Sequence, residues 1–173
     1  AALGRPVHAA RTYARALADA RAGGFLVLQA LAQESIALLD LARGRFREAL
    51  AGLEHARRSY AELDMPQQIA IIERRVAETY LELRLLPEAL LLFEQSLARF
   101  RALQRPDEEA WTLAQRGRVQ ALLGQAPQAV ASFEQAVALF AMHGNATGEA
   151  TVTLARAELA LAESFARAGT GTS

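Results

Sequence analysis

The chain has no cysteine and no lysine among its 173 residues. The first absence excludes disulfides, thiolate catalysis and cysteine-ligated zinc. The second excludes a Schiff-base lysine and the lysine of a phosphate-binding P-loop. Net charge is also lacking: 19 basic residues, all arginine, balance 19 acidic ones. A nucleic-acid binder or an anionic-membrane binder carries a basic surplus, so neither class is expected. No apolar run approaches the ~18–20 residues of a membrane span. Charges are spread through Ala1 to Ala22, so no secretory leader is read there. Aromatics make up only 6% of the chain. The arginine-only basic set points to a GC-rich bacterial source, and the missing cysteine fits a cytoplasmic location.

What is present is alanine, leucine, arginine and glutamate, all strong helix formers. Apolar residues account for 52% of the chain. Sliding the sequence along itself by 40 positions brings like residues together. Ala30, Ala70, Ala110 and Ala150 share a column, as do Ala9, Ala49, Ala89 and Ala129. Tyr13, Leu53, Phe93 and Phe133 form a third column. Ala16, Ala56, Ser96 and Ala136 form a fourth. Tyr60, Phe100 and Phe140 form a fifth, with Ala20 as its exception. From Ala49, the steps to Leu53, Ala56 and Tyr60 keep one helical face at about 100° per residue. Small residues beside aromatic ones are what interlocking helix layers require.

Each unit therefore holds two helices, here termed A and B. The spacing predicts helices over 5–22, 27–42, 46–63, 67–83, 87–103, 108–123, 127–142 and 148–166. Gly44 and Gly124 read as left-handed helix stops, with Arg84 breaking their column. Pro87 and Pro127 read as openers of B helices. Pro66 and Pro106 read as the ends of their units, and Asp107 as the cap of the following helix.

These columns resemble the tetratricopeptide repeat. Ala37, Ala77, Gly117 and Ala157 match the family's small position in helix A. The alanine and aromatic columns match its helix B, and Pro66 and Pro106 its closing proline. Tyr80 matches the helix A tyrosine, whereas Asp40 and Gln120 depart from it. The family's usual unit is about 34 residues. The longer period here looks like that of bacterial signalling proteins, such as ATP-dependent transcription activators and proteins with a caspase-like CHAT domain. The resemblance implies an all-α fold, a right-handed α-solenoid of antiparallel helix pairs with about eight helices. Full units are expected at 27–66, 67–106 and 107–146, with partial units at 1–26 and 147–168. Residues 169–173 read as a disordered tail or cloning remnant. Because the array is out of phase with its own unit at both ends, it is expected to be a piece of a longer protein.

Candidates for chemistry are sparse. His8, His55 and His143 lie on separate helices or helix ends with no metal-ligand spacing. They read as surface residues. Glu54, Glu94 and Glu134 recur in one column, which predicts interhelical pairing with arginines. Arg116 and Arg156 stand in a core-like column, as snorkelling side chains or as partners of Glu158 or a neighbouring glutamate. No catalytic residue, cofactor or metal site is expected.

In the tetratricopeptide family, ligands are held by helix A residues that packing does not use. Carried over, that surface offers Leu31, Glu34 and Ser35, then Arg74, Arg75 and Glu78, then Trp111, Gln115 and Arg118, and finally Glu158. The arginines can grip carboxylates by paired hydrogen bonds. Trp111, the single tryptophan, is either a binding hot spot or a core filler. The chaperone-tail clamp of this family is missing, since its column carries Ser35, Arg75 and Gln115. The expected role is a protein-interaction scaffold whose partner is a protein, a peptide or another domain of its own full-length chain. The alternative is homo-oligomerisation through apolar repeat edges such as Val7, Tyr13, Leu159 and Leu161.

Overall fold

The computed structural model describes residues 4–149, 151–153, 155–156 and 159–160, with side chains from residue 9 onward. Seven helices follow one another. They are α1 (Gly4–Ala22), α2 (Leu26–Leu41), α3 (Phe46–Glu62), α4 (Pro66–Glu82), α5 (Leu86–Ala102), α6 (Pro106–Leu122) and α7 (Ala126–Met142). A further helical stretch starts at residue 146. There is no strand among the described residues. The helices differ from those predicted by one or two residues. The expected last helix, 148–166, and the tail 169–173 lie largely or wholly outside the described residues.

Each pair of helices is joined by the same tight reversal. At Gly44 the backbone turns left-handed, with φ of 70°. The amide of Arg45 then reaches back to the carbonyl of Asp40 at 2.9 Å, and that of Gly44 to Leu41 at 2.9 Å. This is the Schellman pattern, which satisfies carbonyls that the helix end would strand. The pattern recurs every 20 residues. Left-handed residues stand at Gly24, Gly44, Asp64, Arg84, Gln104, Gly124 and Gly144. Arg84 thus does not break the glycine column in geometry: it adopts φ of 61° itself.

Two expectations need correction. Pro66 and Pro106 do not close units; they are the first residues of α4 and α6. A proline fits there because the first turn has no use for its missing N–H. Asp107 does not cap α6. The N-cap is Arg105, which makes no side-chain cap bond, and Asp107 lies inside the acidic first turn. Its charge complements the helix dipole there. A side-chain cap appears at Asn145, whose carbonyl accepts from the Gly148 amide at 3.0 Å.

The chain divides into two compact units, one up to Thr79 and one from Tyr80. In the first, α1 packs on α2 and α2 on α3. Its core joins Ala30 and Ala37 of α2 to Leu53, Ala56 and Tyr60 of α3 and Ile69 and Ile72 of α4. In the second, α5 packs on α6 and α6 on α7. Its core joins Ala110, Leu113 and Ala114 of α6 to Ala129, Phe133, Ala136 and Phe140 of α7, with Val152 beyond. The repeating alanines are fully buried where they meet the aromatics. A small side chain there lets a ring fill the gap between backbones.

Candidate partner-binding surface

In the first unit, the A-helix residues expected to read a ligand largely engage one another. Glu34 of α2 accepts a hydrogen bond from the Tyr60 hydroxyl of α3 at 2.8 Å. Its other oxygen faces Arg75 Nε of α4 at 3.9 Å. Glu34 therefore ties three helices together. Tyr60 is fully buried. Burial, then the bond to Glu34 and its charge, push the phenol well above the usual tyrosine range. Arg74 pairs with Glu78 one turn on, at 2.8 Å. Ser35 turns its hydroxyl onto the Leu31 carbonyl at 2.9 Å, so its own helix satisfies it. Leu31 is exposed. Arg75 Nε makes no hydrogen bond, and the side chain is one-third exposed.

In the second unit, Trp111 meets Phe140 edge to face, with ring centroids 5.0 Å apart. It is half-buried against the α7 core. Gln115 accepts a hydrogen bond from the exposed Arg118 at 2.9 Å. Glu158 lies outside the described residues. Within each unit, then, the structure brings together Glu34 with Arg75, Arg74 with Glu78, and Gln115 with Arg118.

Arg116 behaves differently from either expectation. Rather than snorkelling or joining a carboxylate directly, it donates from Nε to the Ser132 hydroxyl of α7 at 3.1 Å. Ser132 in turn donates to Gln120 Oε1 at 2.6 Å. Burial, then nearby Arg101, lower the guanidinium's proton affinity, against the pull of Glu94. This polar trio was missed in the sequence. Its signal was Gln120, which stands where Tyr60 and Phe140 occupy the same half-period position. The glutamate column divides. Glu134 faces Arg156 across helices at 3.7 Å, while the charge of Glu94 acts on Arg116 without a direct pairing. Glu54 instead accepts from Arg57 on its own helix at 2.8 Å and 2.9 Å, which holds its carboxyl below the usual range.

His55 and His143 are exposed, and the His8 side chain lies outside the described residues. No three of His, Cys, Asp and Glu stand together for a metal ion among the described residues. No helix among them is long and apolar enough to cross a membrane. Leu159 packs on the α7 core, while Leu161 and the Val7 side chain lie outside the described residues.

The pairwise stacking of helices with buried small columns has a counterpart in known proteins. Residues 68–142 match the family model of the tetratricopeptide repeat. Over this stretch the chain is similar to the tetratricopeptide repeat. The same helical architecture extends beyond it. BtubC (BKLC) from P. vanneervenii has a similar structure, with a TM-score of 0.64 and 18% identity. That match covers 93% of this chain and 75% of the other. A putative kinesin light chain of Podosopora anserina, built of nearly identical TPR-like repeats, gives a TM-score of 0.58 at 19% identity, covering 98% of both chains. No curated protein matches. At such identities the likeness speaks for the fold, an all-α tetratricopeptide-like solenoid of antiparallel helix pairs. Tetratricopeptide repeats are in general protein-interaction scaffolds.

Proposed function

We propose that this chain is a protein-interaction module whose A-helix surface holds a peptide, a protein surface or another domain of its own full-length protein. The observation that carries the reading is the contrast between two columns. Ala37, Ala77 and Gly117 keep the packing position small, while Ser35, Arg75 and Gln115, two residues earlier, differ in every unit. Packing constrains the first column and leaves the second to vary. The first unit offers the one-third-exposed Arg75 and, separately, the second unit offers the exposed Arg118. An acidic segment suits them, since it competes with Glu34 for Arg75. The unit of 40 residues and the arginine-only basic set favour a parent among bacterial, cytoplasmic signalling or regulatory proteins.

The test is affinity capture from cells of the source organism with the wild-type chain and with Arg75→Glu/Arg118→Glu. The expected outcome is a protein retained by the first and lost, at least tenfold, by the second. Equal capture by both rules out this surface.

A further inference from the structure

A small cavity with a polar lining lies within the first unit, between α2 and α3, and has a volume of about 100 Å³. Gln29 and Gln33 line it from α2, and His55, Ser59 and Glu62 from α3. Leu26 and Leu63 add apolar walls. None of these is among the residues proposed above to hold a partner.

The second unit shows what stands at this place when it serves packing alone. Advancing by 80 residues turns Gln33 into Leu113 and Ser59 into Leu139. Leu113 is 0% exposed, and both leucines pack into the core of that unit. In the first unit, a leucine on each helix thus gives way to an amide and a hydroxyl. The shorter serine leaves space, and the glutamine makes that space polar. As packing the exchange is unfavourable, because Gln33 Oε1 is buried and accepts no hydrogen bond. A buried acceptor without a donor destabilises a fold, so one that persists calls for a reason.

The lining is rich in acceptors. Gln29 donates from Nε2 to the Ala20 carbonyl at 3.2 Å, so the uncommitted atom of its amide is the oxygen. Gln33 adds its orphaned oxygen, Ser59 a hydroxyl and Glu62 a carboxylate. An anion is repelled by this set, and a cation with several N–H groups suits it.

We infer that the cavity binds a primary alkylammonium group, as carried by a lysine side chain of a partner protein or by a free alkylamine. An ammonium head has three donors and no acceptor. It supplies the donor that Gln33 Oε1 lacks, and Ser59 and Glu62 take the other two. Its methylene stem lies against Leu26 and Leu63. The size agrees, since the cavity takes a head group and a short stem but no helix or loop. A guanidinium is planar and broader, with five donors, more than this lining answers. The sequence has no lysine, so a second copy of it has no such side chain to offer.

The test follows the side-chain amide signals of Gln29 and Gln33 by NMR as the whole chain is titrated with n-butylammonium chloride. Saturable shifts are expected at both. Butyltrimethylammonium keeps the charge and the stem but has no N–H, and is expected to bind at least tenfold more weakly. Gln33→Leu/Ser59→Leu copies Leu113 and Leu139, and is expected to stay folded by circular dichroism and to lose the response at Gln29. Glu62→Gln, at an exposed position, is expected to weaken binding at least tenfold. Arg75→Glu/Arg118→Glu is expected to leave it within twofold, so this proposal and the preceding one fail separately. A capped peptide with one lysine among glycines separates the two sources. Binding at least as tight as that of butylammonium assigns the site to a partner's lysine, and weaker binding assigns it to a free amine. No saturable shift, equal binding of butyltrimethylammonium, or unchanged binding to a folded Gln33→Leu/Ser59→Leu or Glu62→Gln overturns the inference.

Discussion

A Cβ placed on Gly117 would come within 2.7 Å of the ring of Phe133, itself 2% exposed and unable to retreat. Glycine in mid-helix is disfavoured by about 1 kcal/mol relative to alanine, so an alanine here gains that much in propensity. Overpacking a tight core costs about 1–3 kcal/mol and wins. Gly117→Ala is therefore expected to destabilise by up to about 2 kcal/mol in urea denaturation. Phe133→Leu, which copies the Leu53 opposite Ala37, is expected to remove the clash, so the double-mutant cycle shows a favourable coupling. At a nearby polar contact, Ser132→Ala strands the buried Gln120 Oε1 and the half-buried Arg116 Nε together. Leaving such groups unpaired costs about 1–3 kcal/mol each. The glycine was legible in the sequence as a small-column member, because packing repeats with the period. The Ser132–Gln120–Arg116 trio was not, because a polar contact between helices depends on rotation angles that a single period does not fix.

At the scale of the helix and its turn, the seven left-handed residues make a natural experiment. Gly44 and Gly124 hold the conformation without a side chain, whereas Asp64, Arg84 and Gln104 hold it with one. A side chain in this region costs about 1 kcal/mol or more. Arg84→Gly and Gln104→Gly are each expected to stabilise by about 0.5–1 kcal/mol, less than the full strain because glycine loosens the unfolded chain. Gly44→Ala is expected to destabilise by about 1 kcal/mol. Thermal melts of the three variants check the sign. The helices themselves were readable to within two residues, since amphipathic period and chain reversal agree. The turns were read half correctly. Glycine marks a left-handed stop, but arginine and glutamine give no such mark, so the 20-residue spacing of the joints was hidden. Pro66 and Pro106 were assigned to the wrong side of those joints for the same reason: the stop two residues earlier, at Asp64 and Gln104, went unseen.

For the whole molecule, the missing lysine and cysteine have a consequence for alkaline stability. Between about pH 9 and 11 tyrosine is then the side-chain type left to titrate. The folded phenol of Tyr60 holds its proton more tightly than the unfolded one. Below the ordinary tyrosine value both states are protonated and its contribution is complete. Above about pH 10 the unfolded chain loses the proton first, so stability falls as pH rises, by at most about 1.4 kcal/mol per pH unit. Tyr60→Phe is expected to lose about 1.5–3 kcal/mol at pH 7, where Glu34 forfeits its donor. It is also expected to flatten the decline between pH 10 and 11.5, and urea midpoints across that range measure both effects. The candidate surface was partly legible: its residues were named by family pattern, but their mutual pairings, such as Glu34 with Tyr60, come from positions 26 apart that no column relates. The uniform joints carry one more implication. Seven reversals with one backbone path are seven equivalent seams. Exchanging the segment between the seams at 24 and 64 for that between 104 and 144 alters most side chains in it, keeps packing residues such as Ala30 and Ala110, and alters no reversal. A lineage can therefore shuffle, duplicate or delete whole hairpins by recombination at these points and still inherit a foldable chain.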